Sequence, residues 1–110
     1  MTDTMESIQQ TVDENDVVIF MKGDANQPMC GFSEAAVEVI ESYGVDFETR
    51  DVLKDPELRN AIKEFSDWPT IPQVYINGEF VGGSDIVREM HMKGELETLI
   101  EDVEEKPEES

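Results

Sequence analysis

The sequence predicts an α/β domain, a four-stranded mixed sheet flanked by helices on both faces. Three observations carry that prediction. Val17-Val18-Ile19-Phe20-Met21 is a continuous, β-branched apolar run, the pattern of a strand covered on both sides. Asn77-Gly78 separates two short β-prone runs, which is the signature of a type I′ hairpin. Around these runs, apolar residues recur at helical spacing, so helices and strands alternate along most of the chain.

The elements follow in order. Residues 3–14 place Met5, Ile8 and Val12 at helical spacing among polar neighbours, an amphipathic helix ending near Asn15. After the first strand, a second helix carries Phe32, Ala36, Val39, Ile40 and Tyr43 on its apolar side. Gly44 then stands where helices commonly end. A short strand is expected over 47–52. Asp55-Pro56-Glu57 is a helix start, with a cap, a proline at the first position and an acid in the first turn. Leu58, Ile62 and Phe65 mark its buried side, and Ser66-Asp67-Trp68-Pro69 ends it. Residues 73–76 and 79–81 flank the Asn-Gly turn. Gly82-Gly83 breaks the second of these strands, and Ser84 or Asp85 caps a helix running to Met92. Gly94 separates it from a last helix bearing Leu96, Leu99, Ile100 and Val103. The first strand–helix–strand unit is expected to be parallel and right-handed, and the hairpin adds antiparallel strands. This is the thioredoxin-like arrangement. It forms one domain over residues 1–104, with 105–110 expected as an acidic, frayed tail.

Composition narrows the possible functions. The chain of 110 residues sets 27 Asp and Glu against 8 Lys and Arg, a net charge of −19. Such a surface repels nucleic-acid backbones and anionic membranes, so neither is expected as a partner. The acidity reads either as plain solubility or as adaptation to high salt, where self-repulsion is screened. No apolar stretch approaches membrane-spanning length. The N-terminus shows neither a basic start with an apolar core nor an Arg-rich leader, so a cytoplasmic location is the expectation. A single cysteine excludes an internal disulfide and C-x-x-C dithiol chemistry. One cysteine and one histidine, His91, cannot build a zinc site within one chain. Any metal chemistry must borrow thiolates from elsewhere.

That cysteine lies in Lys22-Gly23-Asp24-Ala25-Asn26-Gln27-Pro28-Met29-Cys30-Gly31-Phe32-Ser33, between the first strand and the second helix. Cys30 is therefore on or beside the first turn of a helix. Unpaired N–H groups and a partial positive charge there favour the thiolate, and Lys22 supplies a full positive charge. A lone cysteine is otherwise most often a small buried hydrophobe. Its position after a Gly/Asn/Pro loop and beside a lysine favours the reactive reading.

With these motifs placed, the chain resembles the monothiol glutaredoxins that carry C-G-F-S. The matching stretches are Phe20-Met21-Lys22-Gly23, Pro28-Met29-Cys30-Gly31-Phe32-Ser33, Asp55-Pro56-Glu57-Leu58-Arg59, Trp68-Pro69-Thr70-Ile71-Pro72-Gln73 and Phe80-Val81-Gly82-Gly83-Ser84-Asp85-Ile86-Val87. The resemblance implies a glutathione site in which Cys30 is the catalytic thiolate and Lys22 sits beside both sulfurs. Arg59 would hold the glycine-end carboxylate through paired N–H donors, an i,i+4 pair with Asp55 being the alternative. The backbone of Ile71 would pair with the glutathione peptide as an added strand, beside Pro72, whose peptide bond is expected to be cis. Amides of Ser84 and Asp85 suit the γ-glutamyl carboxylate and the Asp85 carboxylate suits its ammonium, plain helix capping being the alternative. Gln27 is a further polar candidate, and Trp68-Pro69 a structural wall.

The resemblance also implies iron–sulfur work. A [2Fe–2S] cluster takes four thiolate-type ligands, and one chain offers only Cys30. The family's answer is a cluster shared between two subunits and two glutathiones, a homodimer when cluster-bound, which passes its cluster to apo iron–sulfur proteins. The loop at 24–28 lengthens the site, and in the family such an insertion accompanies cluster handling rather than fast thiol–disulfide exchange. Two departures stand out. Many relatives carry a second cysteine where this chain has Ser84, and the strong acidity leaves open glutathione or a related thiol as cofactor. Beside the carrier stand two other readings. One is an oxidoreductase in which Cys30 takes the glutathionyl group from a protein mixed disulfide. The other is a binding scaffold that uses Met29, Phe32 and the groove near Trp68.

Overall fold

In the computed structural model, residues 4–104 are described, and the acidic tail expected at 105–110 lies outside the described residues. The elements appear in the predicted order: α1 (Thr4–Glu14), β1 (Val17–Met21), α2 (Gly31–Glu41), β2 (Glu48–Asp51), α3 (Pro56–Ser66), β3 (Gln73–Ile76), β4 (Glu79–Gly82), α4 (Ser84–Lys93) and α5 (Glu95–Glu104). The sheet order is β2-β1-β3-β4. β1 runs parallel to β2, with Val18 opposite Glu48, and antiparallel to β3, with Phe20 opposite Gln73. β3 and β4 form the hairpin, and Asn77 (φ 54°) and Gly78 (φ 83°) are both left-handed, as a type I′ turn requires.

The alternation of a strand explains why β1 is apolar throughout. Val17, Ile19 and Met21 point to one face, where they pack with Ala36, Val37 and Ile40 of α2, Val87 of α4, and Leu96 and Ile100 of α5. Val18 and Phe20 point to the other, against Ile8 and Val12 of α1, Ile62 of α3 and Tyr75 of β3. All five β1 residues are buried.

Helix ends follow local chemistry with two corrections. Asp55 caps α3 as predicted, its Oδ1 accepting from the N–H groups of Glu57 (3.1 Å) and Leu58 (3.2 Å). The α4 cap is not Ser84 or Asp85 but Gly83, which makes no side-chain cap bond. A Cβ at Gly83 would stand 3.2 Å from the Pro72 carbonyl oxygen, so the close approach of two chain segments favours glycine there. The second correction concerns α2. Its buried stripe runs through Ser33, Ala36, Val37 and Ile40, at the i, i+3, i+4, i+7 spacing of one helix face. Phe32, expected on that face, is one position out of phase and 63% exposed. The helix also stops at Glu41, before Tyr43: the N–H groups of Tyr43 and Gly44 donate to the Ile40 (3.1 Å) and Glu41 (3.0 Å) carbonyls in a tighter turn that ends at left-handed Gly44 (φ 71°).

Candidate functional site

The chain leaving β1 doubles back before α2 begins. Gly23 takes φ 88°, and its N–H donates to Asp51 Oδ1 at 3.0 Å, which ties the loop to the end of β2. The Asp24 carboxylate accepts from the N–H groups of Asn26 (2.9 Å) and Gln27 (2.8 Å), closing residues 24–28 into a turn. The Met29 N–H then donates to the Lys22 carbonyl at 2.9 Å. This crossing delivers Cys30 beside Lys22, at the N-cap position of α2, extended at φ −156° and half-buried.

Helix-start amides face the sulfur without forming a close side-chain cap bond. The Ser33 backbone N–H contributes most to holding the Cys30 thiol below its ordinary 9.0. The Phe32 N–H, the Lys22 ammonium and the Ser33 hydroxyl act in the same direction, while desolvation opposes them. Ser33, to which the sequence analysis gave no role beyond its place in the C-G-F-S stretch, is a further candidate site residue. It is fully buried, and its Oγ accepts from the Lys22 N–H at 3.1 Å. The available signal was its place three residues before Ala36 and four before Val37, on the apolar face of α2.

Beside Cys30 opens a groove of about 410 Å³. Lys22 and Phe32 form the end nearest the thiol, Arg59 comes from α3, and Trp68, Pro69, Ile71 and Pro72 form one wall. Ser84 and Asp85, in the first turn of α4, complete the lining. The groove thus brings together the expected glutathione-site residues Lys22, Arg59, Ile71, Ser84 and Asp85, with Cys30 just outside its lining. It does not include Gln27. The Ile71–Pro72 bond is cis, and neither backbone group of Ile71 has a hydrogen-bond partner among the described residues. Trp68 packs against Phe80 with ring centroids 5.9 Å apart, which braces the wall as expected.

The groove's charge is opposite to that of the molecule. Lys22, Arg59 and Lys63 line it, three of the chain's 8 Lys and Arg, and Asp85 is its one acid. The ion pairs among the described residues, Arg50 with Glu48 and Lys93 with Glu89, involve none of these cations. Asp55, the alternative partner for Arg59, spends its carboxylate on capping α3. Lys63 was not anticipated as a site residue. It lies four residues after Arg59, on the same side of α3.

The comparison with known proteins agrees with this geometry. The glutaredoxin family model matches residues 17–81, from β1 through the Cys30 loop and the Ile71–Pro72 wall into β4. The chain is 54% identical over 99 residues to an uncharacterized monothiol glutaredoxin, ycf64-like, of Synechocystis sp., covering 90% of this chain and 92% of that one. The chain belongs to the monothiol glutaredoxins. Monothiol glutaredoxin-S15, mitochondrial, of Arabidopsis thaliana is 50% identical over 103 residues, 93% of this chain and 61% of that protein. Among solved structures, a monomeric truncated mutant of Trypanosoma brucei 1-C-Grx1 superposes with a TM-score of 0.84 at 38% identity, covering both chains completely.

The expected cytoplasmic location is overturned by these relatives. The Arabidopsis monothiol glutaredoxin and several others near 50% identity are named mitochondrial. A targeting leader is a removable extension outside the folded domain, so a glutaredoxin domain's own residues carry no mark of the compartment.

Proposed function

We propose that this monothiol glutaredoxin binds glutathione in the groove beside Cys30, and that two such chains hold a [2Fe–2S] cluster as cargo for apo iron–sulfur proteins. The carrying observation is the cationic groove in a chain of net charge −19, set next to a cysteine whose thiolate is favoured. Glutathione brings two carboxylates, one ammonium and one thiol. Arg59, with Lys63 one turn on, supplies the charge for the glycine-end carboxylate. The free N–H and C=O of Ile71 suit the peptide backbone, and the first amides of α4 with the Asp85 carboxylate suit the γ-glutamyl end. Lys22 then lies where both thiolates need a counter-charge.

The donor set limits how a cluster can be held. Among the described residues no group of three or more His, Cys, Asp or Glu could hold a metal ion. With a single cysteine in the sequence, one chain would contribute Cys30 alone, and four sulfur ligands would be reached with two chains and two glutathiones. Anaerobic reconstitution with iron, sulfide and glutathione is expected to give a coloured species with the mass of a dimer. A colourless monomer overturns the proposal.

The half-exposed, thiolate-favouring sulfur supports a second reading, a glutathione-dependent oxidoreductase. The Cys30 thiolate attacks the glutathione sulfur of a protein mixed disulfide and releases the protein thiolate. A second glutathione thiolate then attacks the Cys30–glutathione disulfide, giving glutathione disulfide and free Cys30. Brisk steady-state turnover of a glutathione mixed disulfide, abolished by Cys30→Ser, would favour this reading over the carrier.

A further inference from the structure

We infer that Gln73 is a positioning residue for the groove: its buried carboxamide holds the wall at residues 68–72 so that the backbone of Ile71 faces the ligand. The inference rests on the glutathione reading given above for what the ligand is. Gln73 begins β3 and is fully buried. A primary amide in that setting is costly unless each of its groups finds a partner. Here each does. Nε2 donates to the Trp68 carbonyl (3.1 Å) and to the Thr70 carbonyl (3.2 Å), while Oε1 accepts from the Tyr75 hydroxyl (3.1 Å). Tyr75 is buried, and its ionisation is pushed up to about 12 by desolvation, so its hydroxyl stays a donor across the working pH range.

Apart from the packing of Trp68 on Phe80 and of Ile71 on the core, few hydrogen bonds fix the wall. The Trp68 N–H is tied to the Lys63 carbonyl (3.2 Å) and to Ser66 Oγ (3.1 Å), which anchors only its beginning. From Pro69 to Pro72 no backbone–backbone hydrogen bond forms among the described residues, and the two prolines have no N–H to offer. The carboxamide therefore holds the carbonyls on either side of Pro69 and leaves Ile71, the next residue, unpaired on the groove. Only a side chain with two donors on one atom and an acceptor on its neighbour can serve both ends. An apolar isostere takes both donors from the Trp68 and Thr70 carbonyls and the acceptor from the Tyr75 hydroxyl.

The test compares Gln73→Met with Tyr75→Phe, the second of which keeps both Nε2 bonds. The probe is S-methylglutathione, which cannot exchange disulfides, with binding followed by the emission of Trp68, the chain's single tryptophan. At a temperature where circular dichroism shows all proteins folded, Gln73→Met is expected to bind about tenfold more weakly, the scale of a misplaced hydrogen-bonding edge. It is also expected to change acrylamide quenching of Trp68 without ligand. Tyr75→Phe is expected to melt lower yet bind within about twofold of the parent. Unchanged binding and quenching in folded Gln73→Met, or equal affinity losses in both variants, overturn the inference. If Gln73→Met does not fold, Gln73→Glu takes its place, and failure of both to fold overturns the inference in favour of a purely structural role. A parent protein that does not bind S-methylglutathione sinks the glutathione reading, while the quenching arm still decides whether Gln73 sets the wall.

Discussion

Replacing Gly23 by alanine probes the chain crossing that presents Cys30. Gly23 sits at φ 88°, and a Cβ there would run into the Gln27 carbonyl and lie 2.8 Å from both the Met29 nitrogen and Met29 Cγ. Two of these obstacles are backbone, and the Met29 nitrogen is held by its 2.9 Å bond to the Lys22 carbonyl. Gly44 provides the control, because it is also left-handed, at φ 71°, but has nothing within 4 Å of its Cβ position. The left-handed backbone alone costs an alanine about 1 kcal/mol. Forcing atoms into the crossing adds about 1–3 kcal/mol. Gly44→Ala is therefore expected to cost about 1 kcal/mol and Gly23→Ala about 2–4 kcal/mol, the difference being steric. For a domain of this size each kcal/mol lowers the melting temperature by roughly 4–8 °C, so the two melts separate clearly. Thermal and urea unfolding of the two variants measure this. Equal losses at the two positions would refute the reasoning, because they would mean that the loop yields and does not rigidly set Cys30.

Other outcomes follow from the same structure. The folded chain holds Cys30 below its ordinary 9.0, so ionisation favours the fold. That contribution is complete above the unfolded value and is lost as pH falls through the lower folded one. Iodoacetamide alkylation of the reduced apo-protein, which reads Cys30 alone, should have a lower midpoint than in urea-unfolded protein, and coincident midpoints would contradict it. Asp55→Ala removes two cap bonds at the start of α3 and is expected to cost about 1 kcal/mol, seen as a lower denaturant midpoint at unchanged slope. With a net charge of −19, the melting temperature should rise between about 10 mM and about 1 M salt, as the Debye length falls from about 30 to about 3 Å. A melt indifferent to salt would show that self-repulsion contributes nothing measurable.

Short-range chemistry made most of the fold legible along the chain. Five apolar, β-branched-rich residues in a row read as a strand with two covered faces, and that is how β1 sits. Asp55-Pro56, Asn77-Gly78 and Gly94 carry their conformations in their own side chains or lack of them, so their helix start, hairpin and helix end were readable locally. The site was legible where a motif states it, at Cys30, Lys22, Arg59 and Ile71–Pro72, all of which the fold gathers around one groove. The misreadings of the helices share one cause, a choice between neighbours that local spacing leaves balanced. Phe32 and Ser33 differ by a single 100° step around α2, and packing decided that the serine goes in. Gly83, not Ser84 or Asp85, caps α4, and the Pro72 carbonyl close beside it favours a residue with no Cβ.

Residue order and type alone settled the architecture, the position of the lone thiol at a helix start, and the excess of negative charge. Folding decided which polar groups act together, because that depends on which backbone and side-chain groups the packed chain brings within hydrogen-bonding reach. Lys63 lines the groove, Ser33 joins Lys22 to the start of α2, and Gln73 anchors Trp68 and Thr70. No periodicity announces such partnerships, since a buried serine or glutamine differs from an exposed one only in the company it keeps.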